Sequence, residues 1–399
     1  MKPSPETGSA AAGLYVHVPF CSAICPYCDF AVKKGGADKI PAYLAALRRE
    51  LAWLQSRAAE APPGDALAEL LAGPFDTLYL GGGTPSLLPE AALVELLAFT
   101  RAELAFAPGS RLFLEANPED VSADNLAAWR RQGVHLLSLG VQSLDDDALR
   151  QLGRRHDGAA ATAAIRAARA AGFPTLSVDL IYARPGQTVA AWRAELEKVV
   201  ALAPDHLSCY ELEVHERTSF GKQKARGKFR ELPEDLQAEL FELTHRFLEE
   251  HGYLGYEVSN FARGPEHRSA HNQKYWRHLP YLGLGPGAHS YSRNLRWWNL
   301  RDEPTWRRAL KDSLAPIEAA EILAPGDLAL ECLMLGLRTQ DGADLQEIAR
   351  RWGVDLAAKN AARIAGWIEA GLLAKVPGKL VPTLAGFAVA DRLAAELEL

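Results

Sequence analysis

Short β-rich runs alternate with longer helical runs from residue 14 to residue 211, and this alternation restricts the fold more than any other feature of the chain. The β-rich runs cover residues 14–19, 76–80, 111–115, 135–140, 175–181 and 206–211. Helical runs rich in Ala and Leu lie between them, at residues 40–57, 90–104, 123–132, 159–171 and 191–202. This order predicts βαβ units around a parallel sheet, and six units are too few for a closed eight-stranded barrel.

Three of the five cysteines, Cys21, Cys25 and Cys28, stand within eight residues directly after the first predicted strand. Three thiolates on one tight loop can hold three corners of a four-iron cluster, and a fourth nearby cysteine would complete its ligands. The position two residues after Cys28 is Phe30, so one iron would stay open to a small molecule. The alternatives are a zinc site or an accidental cluster of cysteines. Zinc usually takes a second pair of cysteines, whereas the other two stand alone, and His17 could in principle serve as a ligand but lies in the strand.

The CxxxCxxC spacing resembles the signature of the radical SAM superfamily. The string from Tyr15 to Cys21 resembles its coproporphyrinogen III oxidase-like branch, which contains coproporphyrinogen dehydrogenases (HemN) and haem chaperones (HemW). The resemblance implies an α/β fold with a partial (β/α)6 barrel. It also implies a 4Fe-4S cluster whose open iron holds S-adenosyl-L-methionine and delivers one electron to it. The cofactor would supply the radical chemistry, and the protein would supply position and exclusion of water.

Polar or glycine-rich residues follow the next predicted strands, at the ends where such folds collect their chemistry. Three consecutive glycines at residues 81–83 let the backbone approach a ligand, although a tight turn needs only one of them. Glu115 can accept hydrogen bonds from a ribose or an ammonium group, and Gln142 can both donate and accept. Asp179 lies within an apolar strand, where an unpartnered carboxylate is costly, so we interpret it as a site residue.

The resemblance extends to individual contacts with S-adenosylmethionine. The match is looser at Glu213 and His289 than at the other positions. The implied contacts are Tyr15, Tyr27, Gly82, Gly83, Thr84, Glu115, Gln142, Arg154, Asp179, Glu213 and His289.

Residues 263–301 carry seven Arg or Lys and one acid, together with four histidines and six aromatic residues. A macrocycle with propionate arms would suit such a surface, and so would a nucleic acid. The net charge of -6 gives the whole chain no general reason to bind nucleic acid or an anionic membrane. His271, Tyr275 and Trp276 resemble the HNxxYW motif that the HemW branch associates with haem. A purely structural role for His271 stays equally open.

The length of 399 residues predicts two to three domains. We divide the chain into a disordered N-terminus (1–13), a barrel (14–262), a basic and aromatic connecting segment (263–304) and a helical domain (305–399). The last part has a winged-helix-like order, with helices at 344–352 and 361–370, a β-wing at 371–382 and a final helix at 384–397. Its supposed recognition helix has few basic residues, so we interpret the domain as a lid or docking module.

Two functions follow from the resemblance: a haem chaperone, or an oxygen-independent coproporphyrinogen III dehydrogenase of porphyrin metabolism. Phe30 stands where the dehydrogenase branch has a further cysteine, and the HNxxYW motif is present, so the chaperone is favoured and no catalytic residue is assigned. Its partners would be haem, a reducing electron donor and a haem-acceptor protein, membrane-peripheral acceptors included. Clustered thiols without a signal-peptide pattern or an apolar run of about 18 residues predict a cytoplasmic protein.

Overall fold

A computed structural model of the protein describes residues 11–398. Residues 1–10 of the stretch predicted to be disordered lie outside the described residues, whereas Ala12 and Gly13 already belong to the first strand. The first half contains β1 (Ala12–Val18), β2 (Phe20–Cys21), β3 (Lys33–Lys34), α1 (Ile40–Glu60), α2 (Ala66–Ala72), β4 (Phe75–Gly82), α3 (Glu90–Glu103), β5 (Phe106–Ala116), α4 (Ala123–Arg131), β6 (Val134–Gln142), α5 (Asp146–Gln151), α6 (Gly158–Ala170), β7 (Thr175–Tyr182), α7 (Val189–Ala201) and β8 (His206–Glu211).

The six predicted strands are confirmed as β1 and β4 to β8, which form a continuous parallel run in that order. Successive side chains of a strand point to opposite faces. One face carries apolar residues such as Leu14, Leu80 and Val178, which are buried in the main core beneath the helices. The other face carries polar residues, Glu115 and Asp179 among them, and this face forms the inside of the partial barrel.

The middle of the chain extends this sheet at both edges. It contains α8 (Ser219–Ala225), α9 (Glu234–Glu250), β9 (Leu254–Gly255), β10 (Asn260–Ala262), α10 (Asn272–Trp276), β11 (Tyr281–Leu284), β12 (His289–Ser292), β13 (Leu295–Asn299), α11 (Glu303–Lys311) and β14 (Ile317–Ile322). The complete sheet has twelve strands in the order β14-β13-β12-β11-β1-β4-β5-β6-β7-β8-β10-β9. Short 3-10 turns lie at Ala37–Lys39, Pro85–Leu87, Pro118–Asp120 and Pro265–His267.

Residues 263–304 differ from the connecting segment that the sequence predicts. β11 pairs in parallel with β1, and β12 to β14 continue the sheet as antiparallel strands. The pairing covers the edge of β1, which would otherwise present unpaired backbone groups to solvent. The main sheet therefore continues to Ile322, beyond residue 305, where the prediction begins the C-terminal domain.

The C-terminal part contains α12 (Pro325–Gly336), β15 (Ala343–Asp344), α13 (Leu345–Trp352), α14 (Leu356–Lys359), α15 (Ala361–Glu369), β16 (Leu373–Ala374), β17 (Lys379–Pro382), α16 (Leu384–Phe387) and α17 (Ala390–Ala395). Its three short strands form their own sheet, and its helices surround a separate apolar core. The final helix predicted at 384–397 is divided into α16 and α17. No helix among residues 11–398 combines the length and apolarity needed to cross a bilayer.

Backbone hydrogen bonds join this C-terminal part to the end of the barrel. The amide of Val258 donates to the carbonyl of Arg338 (3.1 Å), and the amide of Gln340 donates to the carbonyl of Tyr256 (3.0 Å). Glu257 and Thr339 form an isolated antiparallel bridge between these bonds. The C-terminal part is thus held beside the mouth of the barrel.

Candidate functional site

A cavity of about 1080 Å³ opens at the C-terminal ends of the parallel strands. Its walls are the loop after β1, the ends of β4 to β8, and residues 387–392 of the C-terminal part. Carboxyl ends of parallel strands meet at one edge of a sheet, so residues far apart in sequence come together there.

The cysteine loop forms one end of the cavity, and Cys21, Cys25 and Cys28 all line it. The amide of Cys28 donates to the carbonyl of Cys25 (3.2 Å), which closes the turn between the last two thiols. The hydroxyl of Thr84 donates to Sγ of Cys21 (3.6 Å). Burial raises the pKa of the Cys21 thiol to about 11, whereas the bond from Thr84 lowers it. Without a metal this thiol is protonated at neutral pH.

Arg154 connects the cysteine loop to the strand ends. Its guanidinium donates to Sγ of Cys25 (3.6 Å), to Oδ1 of Asn117 (2.6 Å) and to the carbonyl of Gly140 (2.8 Å). The Asn117 amide in turn donates to the hydroxyl of Thr84 (3.2 Å). Our sequence analysis did not select Asn117. The sequence did contain a signal for it, because Asn117 stands between the end of β5 and Pro118. A polar side chain at the carboxyl end of a parallel strand lies at the edge of the sheet where such sites form.

Two partly buried carboxyl groups lie on the wall of the cavity. Glu115 accepts hydrogen bonds from the Tyr79 hydroxyl (2.7 Å) and the Gly82 amide (3.1 Å), and burial raises its pKa to about 7. Asp179 accepts one from Ser138 (3.0 Å), and burial raises its pKa to about 6. A cationic group beside either carboxyl would favour the ionised form. This wall therefore suits a ligand that carries an ammonium or another positive charge.

Close packing requires glycine at the last position of β4, Gly82, and at the next residue, Gly83. Gly82 has a φ of 108°, and a Cβ on it would lie 2.5 Å from Nδ1 of His17. A Cβ on Gly83 would lie 2.7 Å from the carbonyl oxygen of Phe20 and 3.0 Å from Sγ of Cys21. The glycine run therefore seats the cysteine loop directly against the end of β4.

The donor set at this end fits an iron–sulfur cluster. Three thiols face the cavity, and two of them accept hydrogen bonds, Cys21 from Thr84 and Cys25 from Arg154. Nε of Arg154 is buried and has no hydrogen-bond partner within residues 11–398, so one donor is left for a further acceptor. Within residues 11–398, no group of three or more His, Cys, Asp or Glu side chains is arranged to hold a single metal ion.

The other predicted contacts fall into two groups. Those that line the cavity, besides the residues described above, are Tyr27, Gln142 and Glu213. Tyr15 is not among the lining residues: its hydroxyl lies 3.1 Å from Nδ1 of His17, and its ring packs beside that of Tyr79. His289 also lies outside the cavity, exposed on β12, where its ring stacks on Trp298. The structure brings neither Tyr15 nor His289 to the cavity surface.

His271, selected as a candidate haem residue, is completely buried. Its Nδ1 lies 2.9 Å from the Thr77 hydroxyl, and its Nε2 lies 2.9 Å from the Tyr275 hydroxyl. Both ring nitrogens are therefore occupied, and in this arrangement His271 cannot bind iron. Tyr275 and Trp276 of the same motif do line the cavity. Spacing alone could not show this difference, because the contact with Thr77 spans 194 residues.

We expect His271→Ala to lower the free energy of unfolding by about 2–5 kcal/mol at pH 7.5, because the buried Thr77 hydroxyl and the partly buried Tyr275 hydroxyl lose their partner. Burial lowers the pKa of His271 to about 3, against about 6.5 in the unfolded chain. The stability contributed by the neutral ring is thus complete above pH 6.5 and is lost as the pH falls toward 3. Chemical denaturation should show a smaller difference between wild type and variant at pH 5. His289→Ala is the control, and an equally small effect of both changes would contradict the structural role.

Comparison with known proteins agrees with this geometry. Residues 15–199 match the family model of the radical SAM superfamily, and residues 323–389 match that of the HemN C-terminal domain. The chain is 35% identical over 340 residues to the heme chaperone HemW of Mycobacterium tuberculosis, which covers 84% of both chains. It is 34% identical over 337 residues to HemW of Synechocystis sp. (82% of this chain, 78% of the relative). It is 32% identical over 346 residues to HemW of Bacillus subtilis (86% and 87%).

The fold is similar to a solved structure with the same arrangement of domains. Coproporphyrinogen III oxidase (HemN) from Escherichia coli aligns with a TM-score of 0.81 at 23% sequence identity, covering 97% of this chain and 90% of that chain. At this level of identity the likeness concerns the fold. It confirms the α/β prediction of a partial barrel followed by a helical C-terminal part.

Proposed function

This chain belongs to the HemW family of radical SAM proteins, and from that membership we propose that it is a haem chaperone. It would bind haem together with a 4Fe-4S cluster and S-adenosylmethionine, and pass haem to an acceptor protein. The observation that carries the proposal is the similarity to several HemW proteins over more than four fifths of the chain. We further propose that it acts in the cytoplasm with a reducing electron donor.

The cysteine end of the cavity supports the cofactor part of the proposal. Cys21, Cys25 and Cys28 would hold the cluster, which with S-adenosylmethionine supplies one-electron chemistry. Thr84 and Arg154 donate hydrogen bonds to two of these sulfurs and would stabilise their negative charge. Glu115 would accept a hydrogen bond from the ammonium or ribose of the nucleoside. Residues 387–392 of the C-terminal part contribute to the wall of the same cavity.

Other residues of the cavity wall support binding of a flat macrocycle. Aromatic side chains line the cavity, among them Tyr210, Phe241, Tyr275, Trp276 and Phe387. Arg338 and Arg392 come from the C-terminal part, and an arginine fork suits a propionate. The cavity volume of about 1080 Å³ is at the upper end of the range for single small-molecule sites. The cavity is therefore large enough for a second ligand beside the nucleoside.

We expect Trp276→Ala to weaken haem binding about tenfold or more, because the indole presents a large apolar face to the cavity. Haem titration followed by the Soret absorption would measure this. Trp298→Ala is the matched control, because Trp298 stacks on His289 outside the cavity. A wild-type protein that gives no defined Soret band would refute the chaperone assignment itself.

The second candidate function is the coproporphyrinogen III dehydrogenase. Phe30 is 66% exposed at the cavity, two residues after Cys28, where the dehydrogenase branch has a further cysteine. Incubation of the cluster-loaded protein with coproporphyrinogen III, S-adenosylmethionine and a reductant should therefore yield no protoporphyrinogen. Formation of the vinyl product would favour the dehydrogenase over the chaperone.

A further inference from the structure

A second cavity, of about 190 Å³, lies behind Trp276, whose indole lines both cavities. Helix α10 and its flanking loops form one side, and helices α12 and α13 form the other. The lining includes Cys332 and His278, the aromatic rings of Tyr256 and Trp352, and three arginines, Arg268, Arg277 and Arg351. The function proposed above assigns no role to this cavity.

A thiol, an imidazole and a carboxylate are arranged in a row at this cavity. Sγ of Cys332 lies 3.4 Å from Nδ1 of His278, and Nε2 of His278 lies 3.0 Å from a carboxylate oxygen of Glu331. An ionised carboxylate only accepts hydrogen bonds, so the imidazole carries its proton on Nε2 and Nδ1 is an acceptor. The Tyr291 hydroxyl, 3.1 Å from Nδ1, donates instead to the carbonyl of Arg293 at 2.5 Å. Nδ1 is thus available for the thiol proton.

The surroundings of the row place a protonated thiol against a neutral base, so the thiol must pass its proton to the imidazole before it can attack. Arg296 pairs with the carboxylate of Glu331 (2.8 Å). Burial raises the pKa of the Cys332 thiol and lowers the pKa of His278, so a protonated thiol faces a neutral base. Arg351, whose guanidinium lies 4.7 Å from the centre of the Trp352 ring, opposes the rise in the thiol pKa. A nucleophile, its base and a group that orients the base are the components of an activated thiol.

The arginines determine which reagents the cavity would accept. Arg268 lies over the ring of Tyr256, and Arg351 lies over that of Trp352. Three acids also line the cavity, but each has a partner. Asp341 pairs with Arg277, Asp344 caps α13, and Glu347 pairs with Arg350. The guanidinium groups of Arg268 and Arg351 therefore favour a small ligand with a negative charge.

We propose that Cys332 is a reactive thiol that exchanges with small anionic disulfides. His278 takes the thiol proton, and Sγ attacks one sulfur of the disulfide. The bond between the two sulfurs of that disulfide breaks as a bond from Sγ forms. The second sulfur leaves as a thiolate and receives the proton from the imidazolium, so Cys332 is oxidised to a mixed disulfide while the small disulfide is reduced to one thiol.

The other cysteines lack this arrangement. Cys209 is buried on the helix-facing side of β8, where burial raises its pKa strongly. Cys21, Cys25 and Cys28 belong to the cluster end of the first cavity. Cys209 is therefore a control for a thiol that reagents reach only when the protein unfolds.

The test is a time course with oxidised glutathione on the full-length, cluster-loaded protein, analysed cysteine by cysteine through peptide mass spectrometry. We expect the mixed disulfide at Cys332 to form at least about a hundredfold faster in the wild type than in the His278→Asn variant, since a positioned base contributes a factor of this order. His278 has a φ of 53°, a conformation that asparagine tolerates, so this variant preserves the backbone. Glu331→Gln should lower the rate and change its pH profile, which a purely structural role would not do.

Arg351→Gln provides a second, independent measurement. Wild-type Cys332 should prefer iodoacetate over the neutral iodoacetamide, relative to free glutathione, and this variant should reduce the preference several-fold. The proposal is wrong if Cys332 reacts no faster than Cys209, or if neither His278→Asn nor Glu331→Gln lowers its rate. If His278→Asn does not fold, the effect of Glu331→Gln on the rate and the Arg351→Gln measurement still decide the matter.

Discussion

Cys25→Ala is expected to leave the protein without an iron–sulfur cluster after anaerobic reconstitution. Cys25 is the central thiol of the loop, and its sulfur accepts the hydrogen bond from Arg154. With only two thiols left, the cluster would lose one of its three protein corners. Iron and acid-labile sulfide should fall from about four atoms of each per chain to below one, and the visible charge-transfer absorption should disappear.

Cys209→Ala and Cys332→Ala are the matched controls, because neither thiol lines the large cavity. Both variants should retain a complete cluster. A complete cluster in Cys25→Ala would remove Cys25 from the ligand set. Wild-type protein that holds one zinc ion and no sulfide would instead refute the cluster, and the zinc site left open by the sequence would be correct.

Gly83→Ala should have the next largest effect, on the binding of S-adenosylmethionine. The added methyl group would lie 2.7 Å and 2.8 Å from the carbonyl oxygens of Phe20 and Val18, and 3.0 Å from Sγ of Cys21. Backbone atoms cannot move aside as a flexible side chain can, so the cysteine loop must shift away from β4. Overpacking of this kind costs about 1–3 kcal/mol. This corresponds to a loss of affinity of roughly 5–150-fold, measurable by equilibrium dialysis on the reconstituted protein.

Gly36→Ala is the control for this prediction. Gly36 follows the same loop, and a Cβ built on it has no neighbour within 4 Å. Its affinity for S-adenosylmethionine and its cluster content should equal those of wild type. Unchanged affinity in Gly83→Ala would show that the loop can move without affecting the ligand, and that the three glycines serve the turn alone.

The sequence was sufficient for the barrel and for one end of its cavity. Runs such as 175–181 and 206–211 fall within one residue of β7 and β8. Strand and helix periods are local properties of the chain, and parallel strands necessarily bring their carboxyl ends together. For this reason Glu115, Gln142 and Asp179, chosen from three separate strands, line one cavity with the three cysteines.

Long-range contacts decided what the sequence left open. The ring of His271 turns to Thr77 instead of the cavity, β11 pairs with β1, and Cys332 meets His278 across 54 residues. Local periodicity determines which residues form an element and which face they share. The partner of a sheet edge, and the direction of a side chain on a short helix such as α10, depend on packing between distant segments. The sequence by itself thus determined the barrel and its cluster end, and only the tertiary structure decided the roles of His271 and Cys332.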